Sequence, residues 1–312
     1  MLNQSAIYSI TLCCLFLTFS CGKTTEQPIK NKAVAQVNQT TPTSPSLEEK
    51  QKVLMNLKVP QPYSFCDEPV NLKDIDVQER FERELYVNTF WHSNTILLLK
   101  RAHRWLPVIA EILKEEDVPE DFKFLPLIES GLTNVTSPAG ASGYWQFLKS
   151  TAKDYGLTVN KEVDERYHVQ KATRAACHYL KKAKERLGSW TLAAAAYNRG
   201  VTGIERALED QQAENYYDLL LNEETSRYVF RILAIKEIYR NPQKYGFPLY
   251  NSSYYTMEDL KYQSVSESVG NLASFAKSHG ISYKLLKRYN PWLRKNKLTV
   301  NKGTSYLIAL PK

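Results

Sequence analysis

The stretch VQKATRAACHYLKKAKERLGSWTLAAAAYNRG, residues 169–200, decides the fold class. Apolar positions recur at helical spacing from Val169 to Leu187, and Gly188 follows where a left-handed helix cap is needed. Ser189 is placed to cap the start of a second helix through Thr191 and Tyr197. Ala193 to Ala196 give that second helix no bulky side, so neighbours can approach it from every direction. A helix built this way belongs in the middle of other helices, which predicts an all-α globule.

Reading outward supports this. Asn94–Arg104 has helical periodicity, and Trp105-Leu106-Pro107 predicts a break, with Pro107 in the first turn of a new helix running to Lys114. Asp121–Glu129 reads as a short helix strained by Pro126 near its middle. Tyr144–Tyr155 reads as an amphipathic helix stopped by Gly156, and Thr225–Tyr239 as a last long helix ending near Asn241-Pro242. No convincing strand interrupts the chain between about Asp74 and Gly246. After Pro248 the texture changes. Leu260–Val265 and Thr304–Leu310 read as strands, with helices at Gly270–His279 and Ser282–Tyr289 between them. The expected organisation is mainly α, with a helical domain over 61–250 and a small β-α-α-β unit over 256–312.

The 312 residues are 43% hydrophobic and 24% charged, a balance suited to a packed core rather than a disordered chain. The net charge of +8 suits an anionic partner. No long Lys/Arg run is present, so nucleic acid is not expected. Of five cysteines, Cys13, Cys14 and Cys21 lie near the start, leaving only Cys66 and Cys177 in the body. That is no disulfide framework. Two buried free thiols are expected, with a bridge as the alternative. His92, His103, His168, His178 and His279 show no metal-ligand spacing, so neither a metal site nor a cofactor is expected.

Ser5–Ser20 is mostly apolar, about 16 residues, which is short for a membrane span and ordinary for a signal core. It ends at Cys21-Gly22. The junction resembles the lipobox of bacterial lipoproteins, which implies a signal peptide over 1–20 and a lipid on Cys21. The resulting anchor would hold the chain at the cell envelope, at an outer membrane facing the periplasm. A plain cleaved signal or an uncleaved anchor are the alternatives. Residues 22–60 are polar and poor in aromatics, as a linker would be.

Ile128-Glu129-Ser130-Gly131 lies where a helix meets a loop rich in Gly, Ser, Thr and Pro. Leu125, Leu127, Ile128 and Trp145 are apolar neighbours able to desolvate the Glu129 carboxyl. Desolvation disfavours the carboxylate and keeps a proton available for a leaving oxygen. Glycosidic cleavage needs such an acid. Alone, the stretch fits a solvated surface Glu at a helix end better than a catalytic acid.

The series of motifs decides between them. Glu129-Ser130 is followed by Gly140-Ala-Ser-Gly143-Tyr-Trp-Gln146-Phe, Val163-Asp-Glu-Arg166, Ala195-Ala-Tyr-Asn198-Arg-Gly200 and Glu224-Thr-Ser-Arg-Tyr228-Val. Over about Phe122 to Tyr239 the chain resembles the soluble lytic transglycosylase family, with its lysozyme-like fold, and within it the membrane-bound type D branch. The resemblance implies a lyase acting on peptidoglycan glycan strands. It implies Glu129 as the single acid/base, with Ser130 holding an N-acetyl sugar. Gln146 would line the cleft, Tyr197 and Asn198 would stand beside the acid, and Tyr228 would be a late cleft tyrosine.

A hydrolase of the usual kind needs two carboxyl groups about the bond. No second acid is expected from the motif set, since Asp154, Asp164 and Glu165 fit salt-bridge or helix-start roles. The family route then has Glu129 protonate the oxygen between N-acetylmuramic acid and N-acetylglucosamine, and a 1,6-anhydro ring closes without water. The alternatives are a lysozyme- or chitinase-like hydrolase on the same fold, and a non-catalytic wall-binding lipoprotein. The tail from about Tyr262 to Pro311 resembles a LysM module, which implies recognition of N-acetylglucosamine-containing glycans. No protein partner is legible in the sequence.

Overall fold

The computed structural model describes residues 54–312; Cys21, the expected signal segment and the expected linker as far as residue 53 lie outside them. The last residues expected in that linker are packed, with Leu57 and Val59 buried in the helical core.

Among the described residues ten α-helices follow one another, and we number them in chain order. The first five are α1 (Ile75–Phe90), α2 (His92–Glu115), α3 (Leu125–Ser130), α4 (Lys149–Asp154) and α5 (Val169–Leu187). The head closes with α6 (Trp190–Arg199), α7 (Val201–Gln211) and α8 (Glu223–Arg240), and α9 (Leu272–Ser278) and α10 (Tyr283–Tyr289) belong to the tail. The alanine helix α6 lies at the centre, packed on α5, α7 and α8, and Ala193 to Ala196 are fully buried. Its start is capped twice. Ser189 Oγ accepts from the Thr191 and Leu192 amides at 3.1 and 3.3 Å. Glu68 also reaches in from a hairpin of β1 (Ser64–Phe65) and β2 (Glu68–Pro69), accepting from the Trp190 amide at 2.6 Å and the Thr191 amide at 2.9 Å. A carboxylate is favoured there because the free amides of a helix start carry partial positive charge.

Three helices depart from the sequence expectation. α2 runs without a break through Pro107. Pro107 is exposed, so the His103 carbonyl it leaves unpaired is not sealed from water. Pro126 is not strained in mid-helix. A 3₁₀ turn over Glu120–Phe124 ends first, and Pro126 sits in the opening turn of α3, where its missing N–H costs nothing. Finally, Tyr144–Leu148 is not helical. Gly143 and Gln146 have φ of 77° and 48°, in the left-handed region, and Ser142 bridges Phe147, so only Lys149–Asp154 forms helix.

Cys66 and Cys177 are buried and free. Among the described residues no helix is long and apolar enough to cross a membrane.

The tail forms the expected β-α-α-β unit. β3 (Leu260–Val265) and β4 (Tyr306–Pro311) pair antiparallel, from Leu260 opposite Pro311 to Val265 opposite Tyr306. Buried Asn290 stitches α10 to β4, donating to the Ala309 carbonyl at 2.7 Å and accepting from the Ala309 amide at 2.8 Å. The unit does not close its core alone. Val163 and Tyr167 of the head are buried in the same apolar cluster as Leu272, Leu286, Trp292 and Ile308. The backbones also meet there, the Asp164 amide donating to the Trp292 carbonyl at 2.9 Å and the Arg294 amide to the Glu162 carbonyl at 2.7 Å.

Candidate active site

Glu129 occupies the last turn of α3, before Gly131 turns the chain out of the helix at φ 58°. The unpaired carbonyls of a helix end are taken by two arginines. Arg231 Nη2 donates to the Ile128 carbonyl at 2.9 Å, and Arg101 Nε donates to the Gly131 carbonyl. Ser130 Oγ donates to the Tyr144 carbonyl at 2.9 Å, tying α3 to the loop that follows. Further back, Asp121 accepts from buried Lys236 of α8 at 2.6 Å and from the Cys66 amide at 2.8 Å, which fixes the entry to α3.

The partly buried Glu129 lines a cavity of about 790 Å³ between α1, α2, α3 and α8. Leu98, Leu127, Ile128 and Ile235 give it apolar lining, and Glu84, Glu223, Glu224, Arg101, Arg227 and Arg231 give it charged lining. Removal from water pushes the Glu129 carboxyl up to about 7. A hydrogen bond from the Tyr228 hydroxyl and the Arg231 charge act the other way, and the Glu224 charge adds to the rise. Desolvation wins, so near neutral pH a substantial fraction of Glu129 keeps its proton. Burial also holds the Tyr228 and Tyr197 phenols well above their ordinary value, with the Glu129 charge adding to it, so both stay protonated.

The residues singled out from the sequence fall into two groups. Glu129 and Ser130 line the cavity, and Tyr228 touches the Glu129 carboxyl from α8. Gln146, Tyr197 and Asn198 stand outside that lining. Gln146 Nε2 donates to the Gly143 and Val135 carbonyls at 2.7 and 3.2 Å, bracing its own loop. Tyr197 packs edge-on against Phe147 and Tyr179, and its hydroxyl donates to the Trp145 carbonyl at 2.8 Å. Asn198 donates to Glu224 at 2.9 Å and accepts from Thr225 Oγ1 at 2.8 Å, so it reaches the cavity only through Glu224. The loop itself is fixed by Arg166, which pairs with Asp164 at 2.7 Å and donates to the Gly140 and Phe147 carbonyls at 2.9 and 3.1 Å. A Cβ on Gly143 would lie 1.9 Å from the Arg166 carbonyl oxygen, so only glycine fits there.

The expectation that the motif set holds no second acid needs correcting. Glu84, Glu223 and Glu224 line the same cavity as Glu129. Glu84 is bound by Arg83 and Arg227 at 2.8 and 2.7 Å, and Glu223 lies 3.3 Å from Arg227. Glu224 has no ion pair among the described residues. It stands inside the very motif that carries Tyr228, and a spacing of Glu224, Tyr228, Arg231 and Ile235 along one helix was the available signal, since positions four, seven and eleven apart share a face. Arg101 on α2 carried no such signal. It reaches the site through its Nε, which donates to the Gly131 carbonyl. Asp164 and Glu165 do fill structural roles, the first paired with Arg166, the second ion-paired with Lys171.

Comparison with known proteins matches residues 107–220 to the transglycosylase SLT domain. Over those residues the head of this chain is similar to a transglycosylase SLT domain. Residues 261–312 match the soluble lytic transglycosylase C-terminal LysM-like domain. The membrane-bound lytic murein transglycosylase D of two Escherichia coli strains is 29% identical over 242 residues, covering 76% of this chain. The match takes in 52% of those relatives, so the chain spans about half the length of the curated proteins it matches. The SLT match contains α3 with Glu129 and the alanine helix α6, and it ends before α8, which supplies Tyr228, Glu224 and Arg231. Part of the cavity wall therefore comes from beyond the matched SLT segment.

Proposed function

We propose that this protein is a peptidoglycan lytic transglycosylase in which Glu129 serves in turn as acid and base. The observation that carries the reading is one carboxyl group, raised to about 7 by burial, facing a groove large enough for sugars. Glu129 gives its proton to the glycosidic oxygen between N-acetylmuramic acid and N-acetylglucosamine, and the C1–O bond breaks. The sugar's own N-acetyl oxygen stabilises the positive charge left at C1. The Glu129 carboxylate then takes the proton from the muramoyl O6 hydroxyl, that oxygen bonds to C1, and a 1,6-anhydro ring closes. No water is consumed, and the carboxyl ends as it began. Tyr228 orients the carboxyl, while Ser130, Gln146 and Tyr197 set the shape of the neighbouring loop.

Glu224 supports a second reading, a hydrolase with two carboxyl groups in one groove. Product masses from digested sacculi separate the two. Anhydromuramoyl ends belong to the lyase, and reducing ends that have gained water belong to the hydrolase. Glu129→Gln is expected to lower turnover by roughly 10²- to 10⁴-fold, the usual contribution of a general acid/base. A folded Glu129→Gln protein that digests sacculi normally rules out this assignment. The LysM-like unit is read as an additional glycan contact. Cys21 is read as the lipid attachment point that places the enzyme at the cell envelope, and Cys21→Ala should abolish incorporation of labelled fatty acid.

A further inference from the structure

A second cavity, of about 320 Å³, lies in the seam between the head and the C-terminal unit. Arg101 lines both this cavity and the one that holds Glu129. The segment after Glu129 alternates between them, Gly131 and Thr133 facing the first, Leu132 and Asn134 the second. Aromatic surface comes from Trp105, Tyr144 and Tyr255 on one side and Trp292 on the other.

The charges in the seam do not cancel. Arg288 is ion-paired with Glu258, and burial lowers the His168 imidazole to about 4, so it is neutral at physiological pH. Arg101 and Arg104 have no carboxylate partner among the described residues. Their Nε atoms are spent on the carbonyls of Gly131 and Thr256, which leaves the outer nitrogens of both forks available. Burial lowers the Arg101 guanidinium from its ordinary value. Two partly desolvated arginine forks beside aromatic faces suit a carboxylate carried on a compact, partly apolar chain.

We propose that the seam cavity receives the acidic peptide stem of the muramoyl residue whose C1 is cut at Glu129, with Arg101 and Arg104 binding its carboxylates. This rests on the lytic reading above. In that reading the reacting sugar itself carries the stem, as a branch from its lactyl ether. The only route the branch needs is the step across Arg101 from one cavity to the next. The C-terminal unit then acts as one wall of a specificity pocket.

The test compares three ligands on the full chain carrying Glu129→Gln, by calorimetry: an N-acetylglucosamine oligomer, a peptide-free muramoyl strand with lactyl carboxylates alone, and the same strand with stems. The stem-bearing strand should bind about tenfold tighter than the peptide-free one, the scale of one or two charge-assisted hydrogen bonds. Raising the ionic strength should erode that advantage. Adding Arg104→Gln, which lines the seam cavity and not the one that holds Glu129, should remove most of it while leaving the other two affinities within about twofold. Equal binding of the two muramoyl strands overturns the proposal, as does an equal loss for all three ligands. If the lactyl carboxylate alone gives the gain, the pocket reads the sugar and not the stem, and the proposal also fails. Should no glycan bind at all, the lytic reading falls with it. If the Arg104→Gln variant does not fold, the strand comparison and its salt dependence decide the matter.

Discussion

Tyr228 donates its phenolic hydrogen to Oε1 of Glu129, joining α8 to α3 across 99 residues of chain. That bond favours the charged carboxylate and so opposes the desolvation that raises Glu129 to about 7. Tyr228→Phe should therefore push the carboxyl higher still. The basic limb of the kcat/KM–pH profile, where the acid loses its proton, should move to higher pH. The rate at the optimum should fall about 10- to 100-fold, because the carboxyl loses the contact that aims it. A basic limb displaced to lower pH would contradict the reading that the Tyr228 bond favours the carboxylate.

The same carboxyl should be a stability liability above acid pH. Its ordinary value is 4.5 and its folded value about 7. Below pH 4.5 both folded and unfolded chains hold the proton, and folding carries no penalty. Between those values the unfolded chain ionises and the folded one does not, so stability is lost as pH rises and the loss is complete above 7. At about 1.4 kcal/mol per unit, the full loss is about 3 kcal/mol. Glu129→Gln keeps an oxygen for Tyr228 and removes the ionisation. Its Tm should exceed that of the parent at pH 8 and match it near pH 4. Equal Tm differences at both pH values would show that the native carboxyl is not perturbed as described.

Glu224 decides between one acid and two. Glu224→Gln retains an acceptor for the Asn198 amide, so the link between α6 and α8 survives. It also removes a negative charge that raises Glu129, and the basic limb should move slightly to lower pH. With Glu129 as the only reacting acid, kcat should stay within about tenfold of the parent. A catalytic second carboxylate would cost roughly 10²- to 10⁴-fold, the range for loss of acid/base help. Single-turnover digestion of sacculi with product masses reads both outcomes.

The helical class was legible because Gly188, Ser189 and four alanines specify a cap, a start and a buried helix by local chemistry alone. The C-terminal strands and helices were legible for similar reasons. Glu129 was reachable because it stands in a motif, and so does Tyr228. What the sequence hid depends on approach between distant segments. Pro107 looks like a break until its exposure on α2 is known. Tyr144–Leu148 has helical periodicity, yet Gly143 must pass so close to the Arg166 carbonyl that the chain turns left-handed instead. Glu224 lies in the Tyr228 motif and shares a helix face with Tyr228 four positions on, a signal that residue type alone does not carry. Gln146 and Tyr197 are motif residues whose polar atoms the fold spends on backbone carbonyls, which residue type alone does not announce.

The seam between head and tail gives a last prediction, since the tail's core is completed by Val163 and Tyr167. Tyr167 also bonds Thr136 at 2.7 Å, and its neighbour Arg166 holds Gly140 and Phe147, so the docking segment and the loop beside Ser130 are one connected piece. Trp292 is buried against this segment, and its carbonyl accepts from the Asp164 amide. Trp292→Ala should cost roughly 3–5 kcal/mol, as for other buried aromatic truncations. The loss should not stay in the tail. Hydrogen-exchange protection of amides across 136–147 should fall together with that of β3 and β4, because opening the seam frees the segment that pins the loop. Unchanged protection over 136–147 alongside a loosened tail would show that the two units are mechanically separate. Activity measured on the same variant would then report the tail alone.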